Sequence, residues 1–289
     1  MSSPCRILVS ALDCAAATRA VNDISSLDQR NALAPIVKPG SPSVPKPAGT
    51  PVLSVHDLRT HCLTCSVREL CLPVGLTTDE MKQVDGLVTH RARLKKYQHL
   101  YRAGEPFHAL YAVRVGSLKA TLLAEDGREQ VAGFLLPGEI LGLDGVGTNH
   151  HQAAAIALEE TEVCVLPFAN VQGLARSLPA LQQNLHQIMS KEIARDQGMM
   201  LLLGSMHSEE RLAMFLLNLA ERHRHRGYSS TEFVLRMTRE EIGSYLGLKL
   251  ETVSRLFSRF QTGGLIQVQG RTVKLLDPIA LKQLVGKHG

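Results

Sequence analysis

The chain has 289 residues, 44% of them apolar and 20% charged, with a formal net charge of +5. That balance excludes a disordered or fibrous chain and suits about two globular domains. Six cysteines are too sparse for a disulfide-stapled secreted domain, and seven Phe, five Tyr and no Trp argue against a stacking platform for single-stranded nucleic acid.

No apolar run approaches the roughly 18 residues that a membrane span needs. The short apolar stretch 7–12 is broken by Asp13 and followed by Arg19, which argues against a cleaved signal peptide. The expected compartment is the reducing cytoplasm, where clustered cysteines more often bind metal than pair. The charge is uneven. Residues 205–289 hold 13 Lys/Arg and 8 Asp/Glu, whereas the first 204 balance at 19 of each. A basic C-terminal third on a neutral body points to an anionic partner, double-stranded DNA first.

In chain order, residues 1–53 read as a disordered extension, with six of the thirteen prolines between positions 35 and 51. Cys5 and Cys14 lie in it and read as spare reduced thiols. Residues 54–75 carry a cysteine cluster, with Cys62, Cys65 and Cys71 in a C-x2-C-x5-C run and Cys164 far downstream. Residues 77–91 read as a short helix, with Thr77 or Thr78 as N-cap and Glu80 in the first turn. From about 93 to 167 the pattern changes to short strands punctuated by glycine, which suggests an antiparallel roll or barrel. The domain assignment is 54–178 for the cysteine segment and roll, 179–204 for a long pairing helix, and 205–289 for the DNA-binding domain.

The helix at 179–203 shows apolar side chains at Leu181, Leu185, Ile188, Met189, Met199 and Leu203, a narrow seam suited to pairing with a second helix. Extended through Glu192, that seam reaches Arg195 or Asp196. In a parallel pair Asp196 would lie near its twin, and two carboxylates 4 Å apart repel by about 1 kcal/mol in water and about 4 at an effective dielectric of 20. The expected homodimer contacts are Leu181, Leu185, Ile188, Glu192, Asp196 and Met199.

The sharpest stretch is 237–265. Thr238 followed by Glu241 is a capping box that starts a helix, and Gly247 ends it. A second helix runs from about 250 to 261 and stops at Gly263-Gly264, giving a helix-turn-helix. Val253, Leu256, Phe257 and Phe260 form its core face. Glu251, Ser254, Arg255 and Ser258, with Thr252 beside them, form a face suited to base edges in a major groove. Segments 265–268 and 272–276 alternate around Gly270-Arg271 as a hairpin, which makes the unit a winged helix. Arg271 at the tip and Lys274 suit phosphate contacts.

This order of elements, with ETVSR at 251–255, resembles the Crp/Fnr transcription regulators. HCLTCSVRELC, ETEVCVLPF, EIARDQGMMLLL and ERLAMFLLNLAER resemble the Fnr-type oxygen sensors among them. The resemblance covers about residues 54–286. It implies an α+β chain with a cyclic-nucleotide-binding-like β-roll, a dimerisation helix and a winged helix-turn-helix. It also implies that Cys62, Cys65, Cys71 and Cys164 ligate an oxygen-labile 4Fe-4S cluster, and that the homodimer is active on DNA while the cluster is intact. A palindrome like TTGAT-N4-ATCAA and a contact between the loop at Glu125, Asp126, Gly127 and Arg128 and RNA polymerase follow from the same resemblance.

The residues alone agree with four thiolates per cubane, and they leave structural zinc or a thiol/disulfide switch as alternatives. His61 is a further possible ligand; His150-His151 reads as an exposed turn. Cyclic-nucleotide binding is not expected. In that resemblance a Glu and an Arg-Ser pair hold the nucleotide, whereas this chain has Leu143 and Gln152-Ala153, and no Arg lies between Arg128 and Arg176. Control by another small ligand remains an alternative. No paired acid and base mark an enzyme site.

Overall fold

The computed structural model describes residues 62–124 and 126–285. The extension at 1–53, Cys5, Cys14, His61 and Glu125 lie outside the described residues.

The described chain begins with two single 3-10 turns, Cys62–Thr64 and Arg68–Leu70, and then α1 (Thr78–Asp85). Thr77 caps α1: its hydroxyl accepts from the Glu80 amide, and the Glu80 carboxylate accepts from the Thr77 amide at 2.8 Å. The helix expected to reach residue 91 stops at Gly86, because His90 is already paired in a strand.

Eight strands follow: β1 (His90–Leu94), β2 (His99–Tyr101), β3 (Ala109–Val115), β4 (Leu118–Leu123), β5 (Glu129–Leu135), β6 (Ile140–Leu141), β7 (Ala154–Ala157) and β8 (Thr161–Pro167). They form two antiparallel sheets, ordered β1-β8-β3-β6 and β2-β7-β4-β5. The inward residues of the two sheets close over Val113, Leu118, Ala155, Ala157 and Val163, which is the roll expected from the glycine-punctuated strands.

Then come α2 (Phe168–Ser177), the long α3 (Pro179–Ser205) and α4 (Ser208–His225). The last domain is β9 (Glu232–Val234), α5 (Arg239–Leu246), α6 (Leu250–Thr262), β10 (Ile266–Gln269), β11 (Thr272–Leu275) and α7 (Pro278–Val285). Strands β10, β11 and β9 make the small sheet of the wing. The Thr238–Glu241 capping box and the left-handed Gly247 bound α5 as the sequence indicates.

Two further cores position the functional residues. Leu72, Leu76, Val84, Leu110, Leu166 and Leu181 pack beneath the cysteine segment. Leu212, Leu216, Ile242, Val253 and Phe260 of the C-terminal domain share one core with Val131, Phe134, Leu136 and Leu158 of the roll. Burial of this kind contributes about 25 cal/mol per Å² of apolar surface, so the roll and the DNA-binding domain are joined through a common apolar core.

Candidate functional site

The cysteine segment is coiled by successive turns. Cys65 N–H donates to Cys62 O at 3.2 Å, Arg68 N–H to Cys65 O at 3.3 Å, and Cys71 N–H to Arg68 O at 3.3 Å. Arg68 Nη1 also donates to Leu63 O at 2.6 Å, and Asp85 of α1 accepts from the Cys62 amide at 2.8 Å. These bonds turn three cysteines toward the roll. The fourth, Cys164, stands in the middle of β8 between Arg91 of β1 and Ala112 of β3. Strand alternation points Val163 and Val165 into the roll and leaves Cys164 on the opposite face.

Cys62, Cys65, Cys71 and Cys164 line a single small pocket, walled by Val67, Leu72, Val84 and Leu166. Burial pushes the Cys62 thiol up, with Asp85 adding to it, and pushes Cys71 up to about 12. Burial raises Cys164 as well, and the cation of Arg91 opposes that shift. Burial thus favours the neutral thiol at Cys62, Cys71 and Cys164, and a metal bound there would have to displace their protons. Among the described residues, no three His, Cys, Asp or Glu side chains converge closely enough to hold one metal ion. In a cubane each thiolate binds a different iron, so its ligands stand farther apart than those of a single ion, and the pocket suits that donor set.

Two features tie this segment to the rest of the chain, and neither is evident in the sequence. Asn184 of α3 is buried, and its amide donates to Leu72 O at 3.0 Å and Val74 O at 2.8 Å. The turn at 136–139 is the second. Gly138 has φ +91°, and a Cβ there would lie 2.7 Å from Leu70 Cβ, so the turn packs directly on the cysteine segment. Its neighbour Glu139 accepts from Arg222 at 2.7 Å and Arg226 at 2.6 Å, both on or just beyond α4. Burial pushes the Glu139 carboxyl up, but Arg222, Arg226 and Arg195 outweigh it and hold the group below its ordinary value. Asn184 stands out in sequence only as a polar residue on an apolar helical face, and Glu139 only as a charge after Pro-Gly.

The expected dimer contacts divide. Leu181 is fully buried in its own chain, Leu185 and Ile188 pack on that same core, and Met199 packs on the C-terminal core. Glu192 is half-buried and paired with Arg195. Leu181 therefore has no surface left for a partner, whereas Leu185 and Ile188 are half-buried and keep part of their surface. A second face carries Met189, Ile193, Asp196 and Met200 at intervals of four, three and four, bordering an open cleft beside the roll, with Ile193 58% and Met200 73% exposed. Asp196 thus lies within an exposed apolar stripe.

On α6, Glu251, Ser254, Arg255 and Ser258 are exposed, Thr252 is half-buried, and Val253, Leu256, Phe257 and Phe260 are buried, as the two-faced pattern requires. Arg271 and Lys274 are exposed on the wing. Arg239 at the start of α5 stacks its guanidinium 3.2 Å from the centre of the Phe257 ring. The roll holds this unit through Lys119 to Glu241 at 2.9 Å and the Val131 amide to Ser244 Oγ at 2.9 Å. In the loop after β4, Asp126 and Arg128 are exposed and paired at 2.7 Å. His151 corrects its sequence reading: His150 is exposed, but His151 is buried against Tyr101.

A β-roll joined by a long helix to a winged helix-turn-helix defines a transcription regulator with a DNA-binding C-terminal domain. Residues 91–177 match the cyclic nucleotide-binding domain, and residues 210–284 match the Crp-like helix-turn-helix domain. The chain belongs to the Crp/Fnr family of transcription regulators. It is 50% identical over 228 residues to the transcriptional regulatory protein btr of Bordetella pertussis, covering 79% of this chain and 94% of that one. It is 48% identical to the transcriptional activator protein Anr of Pseudomonas protegens, covering 81% and 96%. It is 43% identical to the fumarate and nitrate reduction regulatory protein of Escherichia coli, covering 78% and 90%. Among solved structures, FixK2 from Bradyrhizobium japonicum aligns with a TM-score of 0.63 at 32% identity, covering 68% of this chain and 96% of that one. Among the described residues no helix is long and apolar enough to cross a membrane.

Proposed function

We propose that this regulator senses oxygen through a 4Fe-4S cluster held by Cys62, Cys65, Cys71 and Cys164, and binds palindromic DNA as a homodimer while the cluster is intact. The supporting observation is the gathering of four cysteines from two distant segments around one apolar pocket. When bound, such a cluster supplies iron sites for the four thiolates and a centre that oxygen can oxidise. With the four thiolates held together, residues 62–74 are fixed against β8. Asn184 then keeps α3, and Leu70 keeps the Glu139 turn, in their places. Release of the cysteines frees both ties. Anaerobically purified protein is expected to contain about four irons and four sulfides per chain. One zinc per chain contradicts this reading.

The stripe Met189, Ile193, Asp196 and Met200 is the dimer seam in this proposal. The facing Asp196 carboxylates oppose pairing, so the dimer forms only while α3 is held in register. Asp196→Ala is expected to tighten the air-exposed dimer at least about fivefold, from removal of a repulsion of about 1 kcal/mol or more. Sedimentation in air measures it; a variant as monomeric as the parent contradicts the seam.

The dimer sets two α6 helices about one DNA turn apart, roughly 34 Å. Glu251 and Arg255 read the G·C pair of a TTGAT-like half-site, Ser254, Thr252 and Ser258 lie alongside, and Arg271 contacts phosphate. Glu251→Val is expected to change preference at that pair by about 1–3 kcal/mol and to leave non-specific affinity intact. Binding to a panel of half-site variants measures it; equal weakening on all DNA contradicts a reading role. The loop at 125–128 is assigned to contact with RNA polymerase, and the compartment is the cytoplasm.

A further inference from the structure

The roll matches a domain named for nucleotide binding, and its pocket faces α3. Tyr101, Leu141, Gly142, Asp144 and Ala153 line the roll side of this cleft, with Met189 and Ile193 on the helix side. Behind its Asp144 and Ala153 wall, polar groups are arranged around a group of the chain itself. The single 3-10 turn Leu143–Gly145 follows Gly142, whose φ of +92° directs the turn back across the sheet. Asp144 Oδ2 there accepts from the Gln152 amide at 2.7 Å and from the Ala153 amide at 3.0 Å.

A third polar group faces the same carboxylate. The His151 side chain is 1% exposed, and its Nδ1 stops 3.6 Å from Asp144 Oδ1 with no hydrogen-bond partner. The ring is fixed in place: it stacks on Tyr101 at 3.6 Å and 11°, and the His151 backbone is bonded on both sides, to Glu105 O at 2.9 Å and from Gly104 N at 2.8 Å. Gly145 keeps the turn tight, since a Cβ there would lie 2.6 Å from the Phe107 ring. Consecutive backbone amides pointing at one spot form a nest with a preference for anions, and here a rigid imidazole adjoins it.

We propose that the amides of Gln152 and Ala153, together with His151, form the anion site of the roll, and that Asp144 occupies it from within. The chain thereby supplies the anion that a soluble phosphoryl ligand would bring. The turn at 143–145 and the start of β7 are bridged at all times, and a phosphate approaching the nest meets a carboxylate already seated. The roll is thus closed to phosphoryl ligands by its own side chain and left to take its input from the cysteine segment. The site stands apart from the four cysteines, so its test does not depend on the cluster.

Thermal unfolding of the full chain with inorganic phosphate as probe tests this. Asp144→Ala empties the nest and is expected to lower the melting temperature by about 3 °C or more. About 20 mM phosphate should restore at least half of that loss and shift the parent by less than about 1 °C, with chloride at equal ionic strength doing neither. Asp144→Asn keeps the shape and removes the charge, and is expected to melt below the parent. The proposal is overturned if phosphate raises the parent and Asp144→Ala alike, or if Asp144→Ala melts with the parent. Where Asp144→Ala does not fold, Asp144→Asn decides: a melting temperature equal to the parent's shows that no anion is needed.

Discussion

Glu139→Ala is expected to destabilise the protein by about 3 kcal/mol, because truncating one member of a buried ion pair leaves the others charged and unpaired. Two guanidiniums are left in this way. Arg226 is 5% exposed and Arg222 19% exposed, and both now bond the Glu139 carboxylate. Arg222 keeps the carbonyl of Phe134, and Arg226 those of Pro137 and Arg222, which places the loss at the lower end of the range for buried pairs. For a folded unit of this size, the melting temperature should fall by roughly 6–12 °C. Glu139→Gln keeps an acceptor and should lose less. A calorimetric scan of the three proteins measures this, and an Ala variant within about 1 °C of the parent contradicts the clamp. The pH dependence has a definite sign. The folded carboxyl is held below its ordinary value, so its contribution is complete above the unfolded value of about 4.3 and is lost as pH falls through the folded one.

The effect of Glu139→Ala should reach beyond stability. The turn at 136–139 touches Leu70 on one side and α4 on the other, and α4 carries the core on which α5 and α6 rest. It is a direct physical link between the cysteine segment and the C-terminal domain. Asn184 is the corresponding link to α3.

Cys71→Ser carries the largest functional effect. Its thiol lines the pocket with the other three, and a serine hydroxyl is a poor substitute for a thiolate at iron. Anaerobically purified Cys71→Ser is expected to lack stoichiometric iron and sulfide. Its affinity for the palindrome should fall toward that for non-specific DNA, a gap of about 10³-fold or more. Cys14→Ser serves as the control and should keep both iron and affinity. Iron assay with a gel-shift titration measures the pair of outcomes, and a Cys71→Ser protein with parental iron contradicts the ligand assignment.

What the sequence could tell depended on how local each signal was. The Thr238–Glu241 box, the Gly247 stop and the two faces of α6 lie within a few turns of one another, and all appear where the pattern places them. The wing hairpin around Gly270-Arg271 is equally local. The long helix was legible in length but not in orientation. It has two apolar faces, and periodicity alone does not say which one meets its own roll. Leu181, Leu185 and Ile188 turned inward, and Met189, Ile193 and Met200 were left outside.

The ties that connect the parts were not legible at all. Asn184 bonds carbonyls 112 and 110 residues away, and Glu139 meets arginines 83 and 87 residues away. His151 was hidden by its neighbour, since adjacent histidines in a Gly- and Asn-containing turn look exposed until the aromatic wall of Tyr101 and Phe107 is in place. Asp144 gave no sign in sequence either, because its partners are backbone amides, which every residue but proline possesses.

If DNA affinity follows the state of the four cysteines, a stepwise titration with air reveals it. A single anaerobic preparation is exposed to air in steps, and at each step bound iron and affinity for the palindromic site are measured together. The predicted result is that affinity and dimer content fall in proportion to iron and return on anaerobic reconstitution with iron and sulfide. Affinity that stays constant while iron is lost would contradict it.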